Sequence, residues 1–132
     1  MKNILVLDDN KYILEALSAN LCYYLGDCNI MTALDGAKGA EVLSSVPVDL
    51  ILTDIDMPVA NGYKFIEHAK KNYPGVPVCV MTGYCSPAVR EKLEALGVTR
   101  YVEKPLQYGK LVSMITEELK LRTAQQDEPG QA

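Results

Sequence analysis

No stretch of this chain approaches the ~18 consecutive apolar residues that a membrane-spanning helix needs. Met1-Lys2-Asn3 runs directly into a short strand-like segment, where a secretory signal would carry its apolar core. These absences point to a cytoplasmic protein. Positive charge is also scarce: 13 Lys and Arg stand against 17 Asp and Glu, giving a net charge of -4. Contact with a nucleic-acid backbone requires clustered Lys and Arg, so direct nucleic-acid contact by this domain is not expected. Cys22, Cys28, Cys79 and Cys85 form no Cys-x-x-Cys pair, which leaves a zinc site without the ligand pairs it requires. They sit mostly inside apolar runs and read as free structural thiols. The one histidine, His68, lies beside Lys70 and Lys71 on the polar side of an expected helix. It reads as a solvated surface residue with little support for a phosphohistidine role, and Lys70-Lys71-Asn72 reads as a solvated face. No internal repeat and no low-complexity tract is present.

What the chain does have is one domain's worth of ordinary globular sequence, 132 residues with 48% hydrophobic and 23% charged. A domain of that length buries roughly two-thirds of its unfolded surface. Short apolar runs alternate with longer stretches whose apolar residues recur three and four apart, which reads as repeated βα units. Strands are expected at Ile4 to Leu7, Asn29 to Ala33, Asp49 to Thr53, Val76 to Met81 and Val98 to Val102. The third is apolar nearly throughout, as a strand covered on both faces would be. Asn10 should cap a first helix burying Leu14, Leu17, Leu21 and Leu25. Asp35-Gly36 turns into a short helix with Ala40 and Leu43 inward, ending near Pro47. After a loop from Asp54 to Asn61, Gly62 opens a helix burying Ile66, Ala69 and Tyr73, and Pro74-Gly75 closes it. Ser86-Pro87 starts a fourth helix with Val89, Leu93 and Leu96 inward and Gly97 as its stop. The last should run from about Leu106 to Arg122, burying Leu111, Ile115 and Leu119, with a weak spot at Gly109. The expected fold is α/β, a single (βα)5 doubly wound parallel sheet. Residues 1–122 form the domain, and 123–132, which have no apolar face, are expected to be a flexible tail or linker stump.

Each strand-like run that ends in a chemically capable group does so at its carboxyl end: Asp8 and Asp9, Asp54, Thr82 and Lys104. In an open parallel sheet ligands bind outside the carboxyl ends of the strands, so these residues should converge. Three carboxylates, a hydroxyl and an ammonium suit a hard divalent cation and a phosphoryl group. Taken singly, Asp8 and Asp9 could cap the first helix, Thr82 could be an ordinary strand-end hydroxyl and Lys104 a surface charge. Four independent strand ends carrying the right groups favour the functional reading.

The strings ILVLDDN, DLILTDIDMPVANG, VCVMTGY and YVEKP resemble the response regulator receiver domain of two-component signalling, in that family's order and spacing from Asn3 to about Arg122. The resemblance implies a flavodoxin-like fold of strand order 2-1-3-4-5, with Asp54 as phosphoacceptor, since a carboxylate can attack phosphorus and form an acyl phosphate. It implies Mg2+ (or Mn2+) held by Asp9, Asp54, the backbone carbonyl of Asp56, and Asp8 directly or through water. Lys104 and Thr82 would contact phosphoryl oxygens, and a cis peptide at Pro105 would aim the lysine inward. Tyr101 resembles the family's switch aromatic, coupling Thr82 to the surface of helix four, strand five and helix five. Its bland reading is a plain strand tyrosine. Asp56 and Tyr84 stand where the family tunes the phosphorylated lifetime, the bulky Tyr84 ring being expected to restrict the attacking water.

Implied partners are a histidine kinase or histidine phosphotransfer protein upstream and a protein partner or attached effector downstream. A second class competes. Thr53-Asp54-Ile55-Asp56 also looks like the Asp-x-Asp signature of haloacid dehalogenase-type phosphatases, but there the motif lies on the first core strand and a cap domain usually encloses the substrate. A receiver-like scaffold without activity is the third reading, disfavoured because none of the five site residues is missing. Whether the chain is a complete single-domain regulator or part of a longer protein stays open.

Overall fold

The apolar runs become five parallel strands: β1 (Lys2–Leu7), β2 (Cys28–Ala33), β3 (Leu50–Asp54), β4 (Val78–Thr82) and β5 (Arg100–Glu103). Between and after them come α1 (Lys11–Leu25), α2 (Gly36–Ser45), α3 (Gly62–Asn72), α4 (Pro87–Ala95) and α5 (Tyr108–Asp127). This computed structural model describes residues 1–56 and 62–127, with side chains up to Lys120. The expected loop from Asp54 to Asn61 therefore falls partly, at 57–61, outside the described residues. The sheet order is β2-β1-β3-β4-β5 and every pairing is parallel, as the doubly wound reading requires.

Alternation along the strands divides the core in two. Leu5, Leu7, Ile51, Val78 and Val80 face Leu43 of α2, Ile66 of α3 and Leu93 of α4. Ile4, Val6, Leu50, Leu52, Cys79 and Met81 face Leu14, Leu17 and Leu21 of α1 and Leu111 and Ile115 of α5. β3 and β4 are buried at all five positions each, so both faces of the central strands carry a helical layer, the arrangement that makes parallel strands apolar throughout.

Caps set the helix starts. Asn10 Oδ1 accepts from the backbone N–H groups of Tyr12 at 2.9 Å and Ile13 at 3.3 Å, Asp35 Oδ1 from that of Lys38 at 2.8 Å, and Ser86 Oγ from that of Val89 at 3.2 Å ahead of Pro87. α4 stops at Gly97, whose φ of 80° lies in the left-handed region a side chain disfavours.

The boundaries differ from expectation where a backbone group has another use. β4 begins at Val78, not Val76, because Pro77 has no N–H to give the ladder, although its carbonyl still accepts from Ile51 N at 3.0 Å. β5 begins at Arg100, not Val98, because Val98 N is spent on Leu93 O at 2.9 Å, closing α4. Leu25, Tyr73, Val89, Leu96 and Leu119 are half-buried and pack against the core, and Ala40 is half-buried. The fully buried residue of α3 not anticipated is Phe65, 3% exposed. α5 continues to Asp127, so 123–127, expected as tail, extend the helix, and 128–132 lie outside the described residues.

The thiols divide. Cys79 is buried, Cys28 and Cys85 are half-buried, and Cys22 is exposed on α1, against the expectation of an apolar setting. His68 is exposed as expected, paired with the Asn72 side chain at 3.2 Å. Lys70 is more than a solvated charge: half-buried, it donates to Gly97 O at 3.3 Å and so tethers α3 to the end of α4.

Candidate functional site

Strand register alone brings the acidic residues together. Leu7 pairs with Thr53, so the residues that follow, Asp8 and Asp54, leave the sheet side by side. Asp54 pairs with Met81 and Thr82 with Glu103, which steps the ends of β4 and β5 toward the same rim. Asp8 is 1% exposed, Asp54 2% and Thr82 1%, whereas Asp9 is exposed. Among the described residues, Asp8 and Asp54 are the buried charged side chains, and such groups are rarely buried unless paired.

The pairing is incomplete. Lys104 Nζ lies 2.8 Å from Asp54 Oδ2 and 3.3 Å from Asp8 Oδ2. Burial pulls the Lys104 ammonium down, but the hydrogen bond and charge of Asp54, followed by the charge and hydrogen bond of Asp8, outweigh it and hold the group above its ordinary value. Among the described residues, Lys104 thus pairs with two carboxylates of a cluster of three, Asp8, Asp9 and Asp54, each offering one oxygen within 4.8 Å of the others. An oxygen-only donor set with excess negative charge fits Mg2+, a hard cation that binds through one or two carboxylates and keeps several waters.

Backbone donors complete the frame. Asp54 Oδ1 accepts from Asp56 N at 2.9 Å, Asp8 Oδ1 from Asn10 N at 3.0 Å, and Asp56 Oδ2 from Gly83 N at 2.9 Å. Asp8 therefore also serves the turn into α1, so its local and functional readings coexist. Thr82 Oγ1 donates to Tyr84 O at 3.3 Å, and Lys104 N donates to Thr82 O at 2.8 Å. The Lys104–Pro105 peptide is cis. Tyr101 is half-buried against the core, and Tyr84 is 67% exposed at the rim.

Two contributors were not legible in sequence. A Cβ on Gly62 would fall 2.5 Å from Ile55 Cα and 2.7 Å from Asp54 O, so only a glycine lets the start of α3 press on the backbone that carries Asp54. Its signal was a glycine opening a helix, which by itself says nothing of a close approach. The Asp56–Gly83 bond joins loops 27 positions apart and left no local signature.

Known proteins share this fold. The profile of the response regulator receiver domain matches residues 4–116. The chain belongs to that family. Hybrid signal transduction histidine kinase D of Dictyostelium discoideum is 31% identical to this receiver over 129 residues, covering 93% of the chain and 8% of the relative. A probable cyclic di-GMP phosphodiesterase of Vibrio cholerae is 33% identical over 114 residues, covering 85% of the chain and 25% of the relative. The chain thus spans a minor part of these relatives. The crystal structure of a CheY-like receiver domain protein from Methanospirillum hungatei superposes with a TM-score of 0.86 at 26% identity, covering 95% of this chain and 98% of that one. The response regulator TrrA of Thermotoga maritima, in complex with Mg2+ and beryllofluoride, matches at a TM-score of 0.79 and 27% identity over 89% of this chain and 99% of that one.

Membership makes this receiver a signalling phosphoacceptor of two-component phosphorelays and not a classical enzyme, which displaces the phosphatase reading. Its acidic pocket of Asp8, Asp9 and Asp54 with Lys104 is consistent with an aspartyl phosphorylation site and a Mg2+ site. Among the described residues, no helix is long and apolar enough to cross a membrane.

Proposed function

We propose that Asp54 accepts a phosphoryl group from a phosphohistidine of a histidine kinase or histidine phosphotransfer protein. The observation carrying this reading is that Asp54, nearly fully buried at a strand end, is held by Lys104 on one oxygen and by the Asp56 amide on the other. A carboxylate oxygen of Asp54 attacks phosphorus, an acyl phosphate bond forms, and the phosphorus–nitrogen bond to the donor histidine breaks. The residues fit Mg2+, or Mn2+, with Asp9, Asp54 and the Asp56 backbone carbonyl as ligands and Asp8 direct or through water. That ion, when bound, neutralises charge on the transferring group and fixes its geometry. Lys104 pairs with one phosphoryl oxygen and Thr82 gives its hydroxyl to another, which requires it to leave Tyr84 O. Positioning and charge stabilisation are most of what such a transfer needs.

The consequence is a shift between two arrangements. Movement of Thr82 toward the phosphoryl group vacates space for the Tyr101 ring, and the surface of α4, β5 and α5 changes for a downstream protein or an attached effector. Tyr84 at the rim shields the acyl phosphate from water. We take the protein to act in the cytoplasm through protein contacts, with the receiver unit running from β1 through α5. The test is intact-mass measurement after incubation with acetyl phosphate, with and without Mg2+, on wild type and Asp54→Ala. A metal-dependent gain of one phosphoryl group that vanishes in Asp54→Ala is expected. Release of phosphate from many small esters, or modification that persists in Asp54→Ala, contradicts the reading.

A further inference from the structure

The steps above leave the carboxylate of Asp56 without a task. That group is not idle: it occupies the backbone N–H of Gly83 at 2.9 Å, while the amide of the same residue binds Asp54 Oδ1 at 2.9 Å. Asp56 thus has one contact on the phosphoacceptor and another on the first residue past β4. Four donors of the described residues at this end of the sheet are engaged by internal partners. Lys104 Nζ holds Asp54 and Asp8, the Thr82 hydroxyl holds Tyr84 O, the Asp56 amide holds Asp54, and the Gly83 amide holds Asp56. A phosphoryl group on Asp54 brings acceptor oxygens and close to two negative charges into this ring of donors. An amide has one hydrogen and cannot serve both anions well.

We infer that the Asp56 carboxylate is a resident anion that holds the Gly83 amide in the unphosphorylated receiver and must give it up when a phosphoryl group arrives. This rests on Asp54 being the phosphoacceptor. Asp56 is then a positioning residue. It restrains the β4–α4 loop in the resting state, and it competes with the phosphoryl group through both its hydrogen bond and its like charge. The loop it restrains carries Thr82 and Tyr84 into α4, so release of Gly83 loosens the segment the Thr82 hydroxyl has to cross. The bond also joins the β3–α3 connection to the β4–α4 connection.

The experiment uses amide hydrogen exchange at Gly83 and the binding of beryllofluoride with Mg2+, followed by NMR, in wild type, Asp56→Asn and Asp56→Ala. Each variant keeps the Asp56 backbone carbonyl and amide. Without beryllofluoride, Gly83 should exchange about tenfold faster in Asp56→Ala, the loss of one charge-assisted bond. Asp56→Asn, which retains an acceptor oxygen, should stay within about threefold of wild type. With Mg2+, half-saturation by beryllofluoride should fall about tenfold in Asp56→Ala, with Asp56→Asn between. A merely structural role for Asp56 would loosen the site and weaken beryllofluoride binding instead. Unchanged Gly83 exchange in Asp56→Ala, or equal or weaker beryllofluoride binding, overturns the inference. If wild type binds no beryllofluoride and takes no phosphoryl group on Asp54, the phosphoacceptor reading fails by itself, and the Gly83 exchange comparison still decides whether the latch exists.

Discussion

β3 is flanked by two aspartates with opposite fates. Asp49, just before the strand, is half-buried and accepts from Asn3 N at 2.8 Å. Asn3 in turn donates to Pro47 O at 2.7 Å and accepts from Asn29 at 3.3 Å, so these contacts at the amino end of the sheet join neutral amides to Asp49 in partly wet surroundings. Asp54, at the strand's other end, is 2% exposed beside a second carboxylate that is 1% exposed, with one lysine between them. Burying charge costs several kcal/mol per ion unless it is well paired, and a fold has no stability reason to leave such a cluster short of cations. The lesson is that a carboxylate at a strand end does not by itself mark the site. Burial together with unbalanced charge does.

Breaking the lysine pairing should have the largest effect. Lys104→Met leaves two buried carboxylates without their shared ammonium. Urea unfolding is expected to show a loss of about 3 kcal/mol, partly recovered by added Mg2+ because that cation replaces the missing charge. The same measurement on Asp49→Asn, which keeps an acceptor for Asn3, should stay within about 0.5 kcal/mol. Equal losses in the two variants would remove the distinction between the strand ends.

Next comes the close approach behind Asp54. Gly62→Ala places a methyl group 2.5 Å from Ile55 Cα, against backbone that cannot turn aside. A loss of about 2 kcal/mol and slower uptake of phosphoryl from acetyl phosphate are expected.

Alkaline pH separates the strand end from the strand interior. Lys104 is held above 10.5, so the stability it contributes is complete below that value and is lost as pH rises through its higher folded-state value. Cys79, in the middle of β4, is pushed from 9.0 to about 12, first by burial and then by Glu118. Between those values the unfolded chain has released a proton that the folded chain retains. Stability should therefore fall by up to about 1.4 kcal/mol per pH unit from this group. Unfolding free energies at about pH 9 and about pH 10 should show a smaller drop in Cys79→Ala than in wild type.

The smallest effect has the opposite sign. Gly109 lies in the first turn of α5 with open space where a Cβ would stand. Gly109→Ala should raise stability by up to about 1 kcal/mol in thermal unfolding, in contrast to Gly62, where the same methyl group meets backbone.

These contrasts also show what could be read in the chain beforehand. Asp8, Asp54, Thr82 and Lys104 were legible because parallel strands turn their carboxyl ends to one rim, and because each apolar run stops at a group of the right chemistry. Strand order was legible through the resemblance, and the half of each helix that faces the sheet through its spacing. Phe65 was missed because the run chosen for α3, Ile66 to Tyr73, follows a slightly rotated face. The start of β5 was missed because Val98 spends its amide on α4, which strand propensity cannot reveal. Gly62 and the Asp56–Gly83 bond depend on how two loops meet in space, and neighbouring residues carry no trace of that. The end of α5 at Asp127 was missed because residues past Arg122 offer no apolar periodicity to count.

The measurement that tests the account most directly is the thermal unfolding of unphosphorylated protein with and without Mg2+, comparing wild type, Asp54→Asn and Asp49→Asn. At tenfold excess over its dissociation constant a ligand adds about 1.4 kcal/mol to stability, which is about 4 °C for a domain of this size. The account predicts that Mg2+ raises the midpoint of wild type and Asp49→Asn by about that amount and leaves Asp54→Asn nearly unmoved. No shift in wild type, or an equal shift in Asp54→Asn, would contradict the claim that the carboxyl end of this sheet is built short of one cation.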